Sequence, residues 1–161
     1  MKLRHFANSP RTLDRTKVYS PEELAYKPQG LWVSNEECSD SWSAWCNNNL
    51  NQGWNLDSLK YEYKVEFKDD INVIILNEAS QLDDFTNQFS NVHENRIAMY
   101  NLGVSSTYIK WKVIQTMFDG ILIPHYQWNR RMSLFWYYGW DCASGCIWNL
   151  DKINTFELIK N

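Results

Sequence analysis

The residues able to do chemistry in this chain are few and widely spaced. Cys38, Cys46, Cys142 and Cys146 are thiols, but gaps of seven residues in the first pair and three in the second fit no common zinc pattern, where two-residue gaps and added histidines dominate. No metal is expected. A Cys–His nucleophile would need Cys142 or Cys146 beside His93 or His125, a pairing close to chance with three His in the chain. The sequence contains no Gly-rich phosphate loop, no His-Glu-x-x-His helix and no Gly-x-Ser-x-Gly elbow. The remaining candidates are a carboxylate, Asp119, ahead of the apolar run Gly120 to Pro124, the pair Arg130-Arg131, and a large stock of rings. Aromatic residues make up 16% of the chain, with nine Trp and nine Tyr. Such rings build a core or line a cleft in which they stack on a flat ligand.

The elements that must position these residues are legible in part. With 161 residues, a single domain (1–161) is expected. No stretch approaches the roughly 20 apolar residues of a membrane span, and residues 1–10 lack the apolar run of a secretory signal. A cytoplasmic protein with no membrane partner is therefore expected. A formal charge of -3 disfavours a general grip on nucleic acid, leaving only a local patch for that task. Lys2 to Phe6 reads as a strand, Pro21 to Leu24 as a helical turn, Leu31 to Ser34 as a strand and Ser39 to Asn48 as a short helix. Tyr61 to Phe67 alternates with period two, a half-buried strand. Val73 to Leu76 predicts a strand, Ser80 to Phe89 a helix capped by Ser80, Tyr108 to Phe118 a second helix, and Asp119 to Pro124 an apolar strand. Ser133 to Trp148 predicts strands with tight turns at Gly139 and Gly145. Irregular alternation of strands and helices gives the α+β class.

Three segments together resemble the ADP-ribosyltransferase superfamily, in the branch of the poly-ADP-ribose polymerases and their bacterial toxin relatives. Leu3-Arg4-His5-Phe6 is similar to the family's first strand, whose His grips the adenosine ribose of NAD. Gln29-Gly30-Leu31-Trp32-Val33-Ser34, followed by Ser41-Trp42-Ser43-Ala44-Trp45-Cys46, resembles the strand and helix whose two tyrosines flank the nicotinamide ring. Trp32 and Trp45 replace those tyrosines. The family's carboxamide-binding Ser has Trp42 in its place, with Ser41 or Ser43 to substitute. Asp119 to Trp128 resembles the segment that opens on the catalytic Glu, here one methylene shorter, and a misplacement of that scale can cost about a hundredfold in rate.

The resemblance implies an ADP-ribosyltransferase-like split β-sheet core with short flanking helices, and NAD as the substrate. It gives catalytic roles to Asp119, His5 and Trp32, and ligand contacts to His5, Gly30, Trp32, Ser34, Ser43 and Trp45. It further implies single ADP-ribose transfer to a macromolecular acceptor (protein, DNA or RNA) by a bacterial or phage effector or toxin. The block Trp136 to Trp148 maps to no family motif. It either walls the cleft with Tyr137 and Asp141, Arg130 and Arg131 holding the pyrophosphate, or is a packed hairpin in which Asp141 caps a turn. A noncatalytic binder of NAD, ADP-ribose or a related nucleotide signal is the alternative from another class.

Overall fold

The computed structural model describes residues 1–22, 25–50, 56–92 and 107–161. The expected helical turn at 21–24 falls partly outside these residues, as does His93 entirely. The observed class is α+β: seven strands form one mixed sheet and two form a small second sheet, with short helices against them. In chain order the elements are β1 (Leu3–Ala7), β2 (Leu31–Asn35), α1 (Trp42–Asn48), β3 (Tyr61–Phe67), β4 (Val73–Ile75), α2 (Ala79–Phe89), β5 (Ser90–Val92), β6 (Thr107–Ile109), α3 (Trp111–Gln115), β7 (Gly120–Ile123), β8 (Ser144–Ile147) and β9 (Ile153–Lys160). The large sheet runs β4-β7-β8-β2-β1-β3-β9. Only β4 and β7 are parallel; the other neighbours are antiparallel.

Alternation along the central strands divides the core in two. Ile121, Ile123 and Cys146 join a large cluster with Leu82, Phe85, Trp111, Ile114, Trp136, Tyr137 and Trp140. Leu122, Ile147 and Val33 point the other way, onto Leu3, Val65, Leu150 and Ile153. α2 buries Leu82, Phe85 and Thr86, one face at helical spacing.

Three expectations need correction. Ser80 does not cap α2: Glu78 is the N-cap, in a reciprocal capping box with Gln81. Tyr108 and Ile109 belong to β6, paired with Asn91 and Ser90, so the helix is confined to Trp111–Gln115. Their spacing suited a helix, but pairing with β5 satisfies the same backbone groups. Gly145 is no turn; it lies inside β8, where an added Cβ would stand 2.5 Å from the Ile121 carbonyl oxygen. The tail before β8 forms a short 3-10 turn at Phe135–Tyr137 rather than a strand.

The feature that creates the site is a fork. β1 pairs with β2 only at Leu3↔Asn35 and Arg4↔Ser34, while it stays paired with β3 through Ala7↔Tyr61. Beyond Arg4 the two central strands part, and the His5 ring nitrogen Nδ1 takes the Trp32 carbonyl at 2.8 Å.

Candidate functional site

A cavity of about 850 Å³ opens at this fork, within the range of small-molecule sites. It is walled by the unbroken runs Arg4 to Ala7 of β1 and Leu31 to Ser34 of β2 with Gly30 just before it. Successive residues of a strand face opposite ways. Consecutive lining residues on both strands therefore mean that the cavity borders their free edges. The approach to β8 adds Trp140, Asp141, Cys142 and Ser144; α1 adds Trp42; the irregular segment after β1 adds Arg11, Asp14, Lys17, Tyr19 and Lys27.

The cavity brings together His5, Gly30, Trp32, Ser34 and Asp141. Because a carbonyl can only accept, His5 donates through Nδ1, which leaves Nε2 as a bare acceptor in the neutral ring. Burial lowers its pKa and Arg11 adds to this, against the hydrogen bond to Trp32, which raises it. Half-buried Trp32 meets Trp140 edge-on with ring centroids 4.8 Å apart and carries the Lys27 ammonium 5.3 Å from its own centroid. The indole N–H of Trp140 is enclosed and makes no hydrogen bond among the described residues. Gly30 is required because a Cβ there would stand 2.6 Å from both Cys146 Sγ and the Ile147 oxygen. Ser34 serves as a brace: its hydroxyl donates to Glu36 Oε1 at 2.6 Å and accepts from the first amide of α1, Trp42 N, at 2.8 Å. Asp141 is held by Arg131 at 3.0 Å.

The other expected contacts, Arg131 and Ser41 among them, are not in the lining. Ser43 donates to Glu36 Oε2, beside the Ser41 cap, and is part of the same brace. Trp45 stacks on Trp42, centroids 5.1 Å apart and planes 9° from parallel, so Trp42 is the face of α1 that meets the cavity. Tyr137 is fully buried in the aromatic core, its hydroxyl accepting from Gln127 N. Arg130 is locked by both carboxylate oxygens of Asp83 on α2, each at 2.7 Å. Asp119 lies at the end of β7, and β8 stands between that strand and β2. Its carboxylate accepts from Asn72 N at 2.8 Å and from Asn149 Nδ2 at 2.7 Å, tying β4, β7 and the turn after β8 together.

Asp119→Ala is therefore expected to lower stability by about 1.5–3 kcal/mol, the range for hydrogen bonds to a charged group, and to leave nucleotide affinity within about twofold. Urea unfolding and a binding titration on the same variant check both halves. Cys142 and Cys146 offer no nucleophile at neutral pH: burial pushes Cys142 up to about 12 and Cys146 well above its ordinary value. Among the described residues no group of three or more His, Cys, Asp or Glu could hold a metal ion, and no helix is long and apolar enough to cross a membrane.

His5 predicts a pH dependence of stability. Its folded pKa lies below the unfolded value of about 6.5, so in the window below 6.5 the unfolded chain holds the extra proton. Stability from the neutral ring is thus full above 6.5 and falls as the pH drops. The carboxylates whose pKa values are lowered, Asp83 by Arg130 and Asp70 by Lys152, lose their contribution only in more acid solution, through and below about 4. The unfolding midpoint should fall between pH 7 and 5, and His5→Gln should flatten that limb.

Compared with protein-family models, with curated proteins and with solved structures, the chain matches none.

Proposed function

We propose that the forked-sheet cavity binds NAD or a closely related ADP-ribose nucleotide. One observation carries the proposal. The fork gathers, from segments far apart in the chain, an imidazole with a free acceptor nitrogen, three indoles (Trp32, Trp42, Trp140) and three basic side chains (Arg11, Lys17, Lys27) that make no ion pair among the described residues. Flat rings need aromatic walls, a ribose needs hydrogen-bonding groups, and phosphates need cations without carboxylate partners. A nucleotide has all three. His5 and Trp32, which the resemblance singles out, stand on the two parting strands. Calorimetric titration with NAD and ADP-ribose tests this: saturable one-to-one binding is expected, and no heat with either ligand contradicts it.

A second reading, mono-ADP-ribosyl transfer to a macromolecular acceptor, is favoured by Asp141. Asp141, its carboxylate paired with Arg131, lines the cavity with Trp32 and His5, whereas Asp119 does not. Cleavage of the nicotinamide bond passes through an oxocarbenium-like state, which a nearby negative charge stabilises. Asp141 takes the role that the resemblance gave to Asp119. Nicotinamide release from NAD by wild type, lost in Asp141→Asn and kept in Asp119→Ala, is the expected pattern. Binding without any release leaves the noncatalytic binder as the function.

A further inference from the structure

Glu36 follows directly on β2, outside the cavity wall, half-buried and with no ion pair among the described residues. Its backbone is fixed: its own N–H donates to the Lys2 carbonyl at 2.9 Å, and that of Asn35 beside it to the Ala143 carbonyl at 3.0 Å. A carboxylate can only accept, so the two hydroxyls that reach it must donate, Ser34 to Oε1 at 2.6 Å and Ser43 to Oε2. The other directions follow. Ser34, its one proton committed, accepts from Trp42 N at 2.8 Å. Ser43 accepts from the Ser41 hydroxyl at 3.2 Å, and Ser41 in turn accepts from Ala44 N at 3.3 Å. One carboxylate thus orders three hydroxyls and, through them, two of the opening amides of α1, which have no partner within the helix.

α1 has few other anchors. It spans seven residues, of which only Cys46 is buried, and a helix that short has no stability of its own in water. Trp42 is its first residue and the one that meets the cavity. Ser34, by contrast, is held from both sides, opposite Arg4 of β1 and Ser144 of β8. The hydroxyl chain therefore ties a weakly packed helix to a fixed rung of the sheet. We propose that Glu36 is a positioning residue: it sets the hydroxyl chain that holds Trp42 in the cavity wall, and so tunes ligand affinity without touching the ligand. The proposal rests on the nucleotide reading above and adds the residue that orders one of its three indole walls. Without the carboxylate, Ser43 loses its acceptor and Ser34 turns its proton to the Ala143 carbonyl, 3.4 Å away. The Trp42 amide then faces a hydroxyl that is no longer held in one orientation.

The experiment pairs spectra of the ligand-free full chain with a double-mutant cycle. In two-dimensional NMR, Glu36→Ala should move the indole signal of Trp42 and that of Trp45, which stacks on it, and leave those of Trp111 and Trp136 in the aromatic core in place. In calorimetry with NAD, Glu36→Ala should bind about three- to tenfold more weakly than wild type, the scale of coupling within one hydrogen-bond network. Glu36→Gln, whose carbonyl and amide can still engage both hydroxyls, should recover part of the loss. In a Trp42→Ala background Glu36→Ala should weaken binding by less than about twofold further, because it acts through that ring. A Trp42 signal left in place by Glu36→Ala, or affinity losses that multiply in the double variant, overturns the positioning role and leaves the nucleotide reading standing. If wild type shows no saturable binding of NAD, the nucleotide reading falls, and the indole signals alone decide whether Glu36 places Trp42. Far-ultraviolet circular dichroism checks that each variant is folded; where Glu36→Ala is not, Glu36→Gln carries the same two readouts with smaller expected changes.

Discussion

Trp136→Ala is expected to cost about 3–5 kcal/mol of folding stability, the range for deleting a large aromatic side chain from a packed interior. Trp136 is fully buried, and its N–H donates to Thr86 Oγ1 at 2.8 Å. Its ring lies 5.5 Å from Phe85 on α2, 6.0 Å from Trp111 on α3 and 6.0 Å from Trp140, so it holds both helices against the sheet face that carries Ile121 and Ile123. Truncation leaves a void ringed by rigid side chains, which collapse poorly around it. A domain's whole stability is about 5–15 kcal/mol, so the variant should unfold at a much lower urea concentration. Trp128→Ala is the matching control: Trp128 is 56% exposed, and its loss should cost less than about 1 kcal/mol. Equal midpoints for Trp136→Ala and wild type would refute the core described above.

Trp32→Ala should produce the largest change in ligand binding. Trp32 is half-buried on a strand held by pairing with Cys146 of β8, so its ring is a pre-positioned wall that loses little freedom when a ligand stacks on it. Stacking of a base on an aromatic side chain is worth about 1–3 kcal/mol by alanine substitution, roughly five- to 150-fold in affinity. The loss should lie near the top of this range, because Lys27 also loses the ring it is placed over. Trp32→Phe should recover part of it. Calorimetry with NAD measures all three proteins. An unchanged affinity in Trp32→Ala would remove the indole from the site, whatever else binds there.

How far the sequence revealed this arrangement depended on whether local pattern or tertiary contact decides each element. Period-two alternation marked β3, and β2 was legible as a short apolar run; both supply their own pattern. β9 has no such signature. Its outer residues are exposed on an edge, and it exists because β3 offers it a ladder. His5, Gly30, Trp32 and Ser34, singled out through the resemblance, share the cavity wall because they stand on or next to the two strands of the fork, and Asp141 joins them from the approach to β8. Asp119 stands outside the cavity wall, and its sequence setting does not reveal that: an acid-Gly step before an apolar strand looks alike whether it faces a ligand or ties three strands together. Arg130 was expected to grip phosphate, but a bidentate partner on α2 had already claimed it. Arg11, Lys17 and Lys27 were missed because residues 8–30 have no periodicity. Their path is set by distant anchors, including Arg11 N to the Tyr63 hydroxyl, Arg15 to the Ile153 carbonyl and the Trp111 indole to the Ala25 carbonyl. The one local clue was four basic residues, Arg11, Arg15, Lys17 and Lys27, spaced through a segment that ends in Gly30 and an aromatic strand.

The most direct measurement of where a nucleotide binds is a two-dimensional NMR titration that follows the nine indole N–H signals, one per Trp, as NAD is added. The account predicts saturable shifts of the Trp32, Trp42 and Trp140 indoles, with Trp111 and exposed Trp128 unmoved. Shifts confined to Trp128, or none in the three wall residues at saturating NAD, would contradict it.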